Sequence, residues 1–307
     1  MARYLVTGSA GMLGSSLRRL LGEEGAVYLT REDADLTNFE ATAALFREHK
    51  PEYVIHCAAV VGGIGSNSIH SGEYFRNNIL INLNVLEAAR QTGVQRLISF
   101  MSTCVFPDKT DYPLKEKNLH NGAPHPSNFG YAYAKRMLEV QSAAYRKEWN
   151  CDFIVAIPTN MYGPCDDFAL EGGHVIPSLI HRCYLRQQEG ADLPVWGSGT
   201  PLREFVYVDD IARLALWALD NYHEEEAIIF SSGIERSIKE LVEIVAEKMK
   251  FTGRIVWDST KPDGQFRKPS DTAKLQRYLP DFQFTSLDEG IEKSVEWFTA
   301  NYPNIRQ

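Results

Sequence analysis

The chain has 307 residues, 44% of them hydrophobic and 23% charged, enough to bury one large core plus a smaller lobe, with no disordered or low-complexity stretch. A formal net charge of −8 argues against nucleic acid or an anionic membrane as the main partner, so an anionic ligand would need locally placed cations. The five cysteines are odd in number and lack C-x-x-C spacing, which suggests neither a disulfide framework nor a metal site; no apolar stretch is long enough to span a membrane, and Met1-Ala2-Arg3 leads straight into a strand with no room for a signal peptide, so a cytoplasmic protein is expected.

The predicted elements begin with strand 3-7, after which Gly8, Gly11 and Gly14 stand three residues apart at the opening of helix 12-23. The first glycine permits the tight strand-to-helix turn, the second lets a pyrophosphate approach the backbone, and the third lets the helix pack closely on its strand. The phosphates would lie on the helix N-terminus, at the backbone of Met12 and Leu13. Strand 26-30 ends at Thr30-Arg31. A carboxylate at this point binds a ribose 2′-hydroxyl and repels a 2′-phosphate, so a cation here favours NADP(H). A solvated arginine followed by Glu32 is the alternative. Asp33-Ala-Asp35-Leu36 reads as the loop that passes the adenine, and after helix 38-48 and strand 53-57 the small residues Ala58 and Ala59 let the cofactor ribose lie against backbone.

Helix 75-92 and strand 96-101 lead to Ser102 and Cys104, and Tyr131 and Lys135 follow on helix 130-148. Four residues apart, the phenol and the ammonium share one helix face, where the cation would lower the phenol's pKa. A serine hydroxyl from the strand end could bond the same substrate oxygen, the arrangement that hydride transfer to a carbonyl requires. Tyr133 is two residues along the helix and faces elsewhere. Cys104, two residues past Ser102 on what reads as one strand, would point into the same pocket by the period of two. A small buried thiol is the plain alternative.

Strand 152-157 closes the regular alternation at Pro158. Segment 159-194 reads as loop and helix; 193-196, 204-208 and 227-230 read as strands returning to the sheet around helix 209-221; and helices follow near 237-250 and 286-301. Asp209 and Asp210 read as helix caps and Glu224 to Glu226 as a solvated loop. The expected fold is α/β: a doubly wound parallel sheet (Rossmann) with a smaller discontinuous C-terminal α/β substrate lobe. The first unit would comprise 1-158 and 195-232, the second 159-194 and 233-307.

The glycine triplet, Ser102-Thr103-Cys104, Tyr131-xxx-Lys135 and Trp196-Gly-Ser-Gly-Thr-Pro-Leu-Arg203 together resemble the extended short-chain dehydrogenases/reductases that act on nucleotide sugars. Ser102 to Lys109, His120-Asn-Gly122, Pro158 to Pro164, Gly173-His174-Val-Ile-Pro177 and Lys261 to Lys268 extend the likeness over essentially the whole chain. It implies a bifunctional enzyme that epimerises GDP-4-keto-6-deoxy-D-mannose at carbons 3 and 5 and reduces carbon 4 with NADPH, yielding GDP-L-fucose. Ser102, Tyr131 and Lys135 would be catalytic in the reduction, and Cys104 and His174 would remove and return protons on opposite faces of the sugar. Pro158, Asn160 and His174 would also line the cofactor. Trp196, Arg203, Arg182 and Lys268, with Ser102 and Asn160, would bind the substrate, the GDP-sugar. The resemblance further implies a homodimer through a four-helix interface built from helices 75-92 and 130-148. A 4-epimerase or 4,6-dehydratase would share this scaffold, but a dehydratase would want Glu near position 104. A non-catalytic NADP-binding regulator would have no use for an active phenol.

Overall fold

A computed structural model describes residues 3–307 apart from 262 and 264, and of these all side chains but those of 64 and 66. Its centre is a six-stranded sheet of β1 (Tyr4–Thr7), β2 (Ala26–Leu29), β3 (Tyr53–His56), β4 (Arg96–Phe100), β5 (Asp152–Pro158) and β9 (Ile228–Phe230). The strands lie in the order β2-β1-β3-β4-β5-β9, every pair parallel. Strand order reverses between β1 and β3, where Thr7 pairs with His56, and the crevice beyond this reversal is where doubly wound sheets bind ligands.

Helices cover both faces. On one side α1 (Met12–Leu21) and α7 (Val208–Asn221) bury Leu13, Leu17, Ile211, Leu214 and Leu219 against Val6, Ile98 and Ile154. On the other, α2 (Phe39–His49), α4 (Ser71–Gln91) and α5 (Phe129–Trp149) bury Phe46, Val85, Leu86 and Leu138 against Leu5, Val54 and Leu97. A short α3 (Ile64–Ile69), absent from the sequence expectation, precedes α4.

Of the three strands expected to return to this sheet, only β9 does so. β7 (Leu193–Trp196) instead pairs with β11 (Ile255–Asp258), and β8 (Leu202–Tyr207) lies between β6 (Asn160–Tyr162) and β10 (Glu235–Ser237). The reason lies in the faces each strand offers. A strand in a helix-covered parallel sheet is buried on both sides, as Ile228, Ile229 and Phe230 are, whereas β7 alternates buried and exposed and β8 carries Arg203 and Glu204. A third core packs α6 (Val175–Glu189), α8 (Ile238–Lys248) and α10 (Leu287–Asn301) around Tyr162, Phe168, Val195, Tyr207 and Phe298. α9 (Ala273–Tyr278) completes the helices of the described residues. No described helix is long and apolar enough to cross a membrane.

Two expected roles of acidic residues change. Asp209 and Asp210 sit in the first turn of α7 without capping it: Asp209 bonds Ser16 and Arg19 of α1, and buried Asp210 accepts from the Thr285 amide at 2.7 Å. Glu224 and Glu226 pair with Arg277 and Lys274, so that loop is tied rather than merely solvated.

Candidate active site

The three glycines are not equivalent. Gly8 has φ of +66°, and a Cβ there would lie 2.7 Å from the Cα of Ala58, so the turn after β1 and the loop after β3 meet as bare backbone. At Gly14 a Cβ would collide with Ser9 Cα, because α1 starts directly on its own turn. Gly11 caps α1 at an ordinary φ of −80° with no side-chain cap, and no acidic residue stands in the first turn. Among the described residues no side chain caps the amides of the first turn, including those of Met12 and Leu13, an arrangement suited to an anion. Ser9 fastens the turn to β2, its amide and hydroxyl each donating to Leu29 O at 3.0 Å.

Beyond β2, Arg31 is exposed, and Asp33 accepts the Thr30 amide at 2.7 Å, which holds its carboxyl below the usual value. Asp35 closes a turn by accepting from Thr37, and Leu36 packs its side chain on the core while its carbonyl takes the Asn84 side-chain amide at 2.9 Å. Ala58 and Ala59 are half-buried, and the Ala58 amide donates to Thr7 Oγ1 at 3.2 Å. Thr7 in turn bonds buried His56, whose other ring nitrogen meets Asn82 of α4, and Asn82 donates to Ala134 O at 3.3 Å. Burial, aided by Lys135, pushes His56 down to about 3 and keeps it neutral. This chain of groups ties the β1/β3 crevice to the helix turn that carries Lys135.

Lys135 is 4% exposed, and its ammonium has no hydrogen bond or ion pair among the described residues; burial lowers it to about 8. Burial raises Tyr131 too, with Cys104 adding to the rise. The expected lowering of this phenol by Lys135 is therefore not found: desolvation decides, and the phenol stays protonated at neutral pH. Tyr133 packs edge-on against Phe129, with ring centroids 4.9 Å apart, as its position predicts.

Ser102 and Cys104 stand side by side for a different reason than expected. β4 ends at Phe100, and Ser102 caps a short 3-10 turn, Thr103–Val105, accepting the Cys104 amide at 3.4 Å. The tight turn, not strand alternation, holds the thiol beside the hydroxyl. Burial raises the Cys104 thiol while the Ser102 bond, Lys268 and Lys135 oppose it. Lys268 arrives from 165 residues away and donates to Thr103 O at 2.9 Å. Burial lowers it, and nearby Arg203 does so too. Arg203, half-buried on β8, donates to its neighbour Leu202 O at 2.7 Å. Of the 261-268 motif that carries Lys268, Pro262 and Gly264 lie outside the described residues.

The remaining candidates lie on other elements. Pro158 ends β5 opposite Phe230, and Asn160 donates to Glu204 O at 2.7 Å. Trp196, 63% exposed, lies between two cations, Arg182 at 5.7 Å and Lys261 at 5.6 Å from its ring centre. His174 caps α6 with an exposed side chain whose Nδ1 is 3.8 Å from Asp166 Oδ1; the Asp166 carboxylate is the main cause that raises it. Its segment touches the loop after β3, since a Cβ on Gly63 would collide with Gly172 O. Sequence reasoning missed Asp166, Lys261 and the His56–Asn82 link. Only the acidic pair Asp166-Asp167 before His174 could have hinted at the first.

A model of the NAD dependent epimerase/dehydratase family matches residues 4–231. Over 310 residues the chain is 44% identical to the GDP-L-fucose synthase of Dictyostelium discoideum, covering 99% of this chain and 97% of the relative. Identity to the GDP-L-fucose synthase of Escherichia coli (strain K12) is 33% over 317 residues, 99% of this chain and 98% of that one. Among solved structures, a GDP-L-fucose synthetase of Naegleria fowleri bound to NADP superposes with a TM-score of 0.95 at 41% identity, covering 99% of this chain and 94% of that chain.

Proposed function

We propose that this chain, which belongs to the NAD-dependent epimerase/dehydratase family, epimerises GDP-4-keto-6-deoxy-D-mannose at carbons 3 and 5 and reduces it at carbon 4 to GDP-L-fucose with NADPH. The observation that carries this reading is the placement of Cys104 on one tight turn with Ser102, within the electrostatic reach of Tyr131 and Lys135. A plain reductase or 4-epimerase needs Ser102, Tyr131 and Lys135 alone.

The crevice fits NADP(H). Gly8 and Gly14 leave room that a Cβ would fill, the first turn of α1 is uncapped, and the buried Lys135 ammonium has no partner among the described residues. When bound, NADPH supplies the hydride for carbon 4. Gly8, Gly11, Met12, Leu13 and Gly14 would hold its pyrophosphate, Arg31 its 2′-phosphate, Asp35 and Leu36 its adenine edge, and Ala58, Ala59, Pro158, Asn160 and Lys135 the nicotinamide half.

Ser102 and Tyr131 donate to the 4-keto oxygen. That stabilises the enolate as Cys104 takes the proton from carbon 3 or 5 and His174 returns one on the opposite face. Tyr131 is protonated at neutral pH, so it can both donate to the enolate and hand its proton to the alkoxide formed at carbon 4. Cys104 starts as a thiol and must give up its proton, which Lys268 and Lys135 favour. Arg203 and Lys268 meet the diphosphate near this turn, and Arg182 and Trp196 meet the nucleoside end.

The test is incubation with NADPH and the 4-keto sugar in deuterated water. Expected are nicotinamide oxidation and a fucose product labelled at carbons 3 and 5. Cys104→Ser should lose the label yet still reduce a substrate already inverted at both carbons. Unlabelled product from the wild-type protein would refute the epimerase half.

The assembly is a homodimer through α4 and α5. These helices pack on each other, and along them Phe75, Leu83 and Val140 stay 43–45% accessible, exposed apolar side chains of the kind an interface uses. Light scattering at the monomer mass would remove this assignment.

A further inference from the structure

Asp166 is a carboxylate without a full set of partners in a place where that is costly. It is 4% exposed, Oδ1 accepts the Asp167 amide at 2.7 Å, and Oδ2 has no hydrogen bond among the described residues. A buried carboxylate with a free oxygen is tolerated when a cation shares it. The nearest candidate is the imidazole of His174, with Nδ1 at 3.8 Å from Oδ1.

The two partners differ in freedom. Asp166 is held by its surroundings: Phe168 is fully buried between Trp297 and Phe298, its carbonyl bonds His181 Nδ1 at 2.8 Å, and its amide donates to Arg306 O at 2.9 Å. The His174 side chain is 60% exposed at the start of α6. The buried carboxylate is thus the fixed partner against which the more exposed ring is set. The charged groups acting on this ring are Asp166 and Asp167, which favour its protonated form, and Arg306, which opposes it and itself stands 3.9 Å from the Asp167 carboxylate.

We propose that Asp166 is the positioning residue of His174: its carboxylate engages Nδ1, turns Nε2 toward the substrate and holds the ring there for delivery of the Nε2 proton to carbon. This rests on the reading of His174 as the proton donor in epimerisation. At each inversion the Cys104 thiol first yields its proton to solvent, the resulting thiolate takes the C–H proton and is a thiol again, the Nε2 proton forms the new C–H bond on the other face, and solvent reprotonates the ring. No oxidant or reductant is consumed. Asp166 itself touches neither substrate nor cofactor.

The experiment follows the Cε1–H resonance of His174 through a pH titration by NMR, assigned with His174→Gln, in the wild-type protein and in Asp166→Asn. In parallel, deuterium exchange at carbons 3 and 5 is compared with hydride transfer to a substrate already inverted. The expected result is a wild-type ring that titrates above the usual 6.5 and falls back toward that value in Asp166→Asn, as loss of a neighbouring opposite charge requires. Exchange should fall at least about tenfold more than hydride transfer, a part of the roughly 10²–10⁴ that a positioned proton donor contributes. Asp166→Glu, which keeps the charge, should recover part of the exchange. A ring whose titration is the same in Asp166→Asn and wild type overturns the proposal while His174 keeps its role. Exchange that survives in His174→Gln overturns instead the reading on which it rests. Should Asp166→Asn fail to fold, a wild-type ring that titrates at or below 6.5 is itself sufficient to overturn the pairing.

Discussion

Replacing Gly8 by alanine separates the two tasks of the glycine turn. With φ of +66° the residue is left-handed, which costs an L-amino acid roughly 1–2 kcal/mol. Its new Cβ would also stand 2.7 Å from both the Cα and the N of Ala58, backbone that cannot rotate aside, and overpacking of this kind costs about 1–3 kcal/mol. Together the loss is about 2–5 kcal/mol. A chain of 307 residues unfolds with an entropy of about 0.6 kcal/mol/K, so the melting temperature should drop by roughly 3–8 °C. Gly11→Ala is the control, because its φ is ordinary and its Cβ would meet only Gly8 O at 3.3 Å. It should melt within about 2 °C of wild type, a change of about 1 kcal/mol or less, yet bind NADPH at least about tenfold more weakly, the methyl occupying the pyrophosphate's approach. Calorimetry and quenching of protein fluorescence by NADPH measure the two effects. A Gly8→Ala protein as stable as wild type, or a Gly11→Ala protein with unchanged affinity, would refute this division of labour.

Lys268→Met should shift the acid limb of the exchange reaction to higher pH, because burial already raises the Cys104 thiol and removal of an opposing cation raises it further; a pH profile unmoved by the substitution would disconnect Lys268 from the thiol. Asp152 is a case of pH-linked stability. Burial alone would raise its carboxyl, but the His223 hydrogen bond and the Arg96 and Arg146 charges overcome it and leave it below its ordinary value. A lowered folded pKa stabilises the fold above the unfolded value, about 3.9, and the contribution disappears as pH falls through the folded value. Asp152→Asn should therefore be less stable than wild type in urea at neutral pH, the gap closing as pH falls below about 4; a gap that does not change with pH would mean that the ion pairs contribute nothing.

Much of the nucleotide half could be read directly. Tyr4 to Thr7 and Met12 to Leu21 lie where apolar runs and the glycine spacing put them, since a strand, a turn and a helix in immediate succession are decided by neighbours in the chain. Tyr131 and Lys135 share a helix for the same reason. The failures have equally definite causes. Leu193–Trp196 and Leu202–Tyr207 are strands, as predicted, but which sheet a strand joins depends on which surfaces remain uncovered after the helices have packed. The period-two argument for Cys104 failed because the chain turns sharply just after Met101, a change that apolar patterning cannot register. Electrostatics was least legible. The spacing of Tyr131 and Lys135 suggested a lowered phenol, whereas burial, which no spacing records, raises it.

The order of strands and helices in the first half, the glycine turn after β1, the acidic charge balance and the presence of Ser102, Cys104, Tyr131, Lys135 and His174 follow from the sequence itself, because each depends on residue type and short spacing. The meeting of Lys268 with Thr103, of Gly63 with Gly172, and of Asp166 with His174 belongs to the tertiary structure alone. Such contacts join segments whose mutual distance is set by how three cores pack, and the charges they bring together then determine which protons the site can hold.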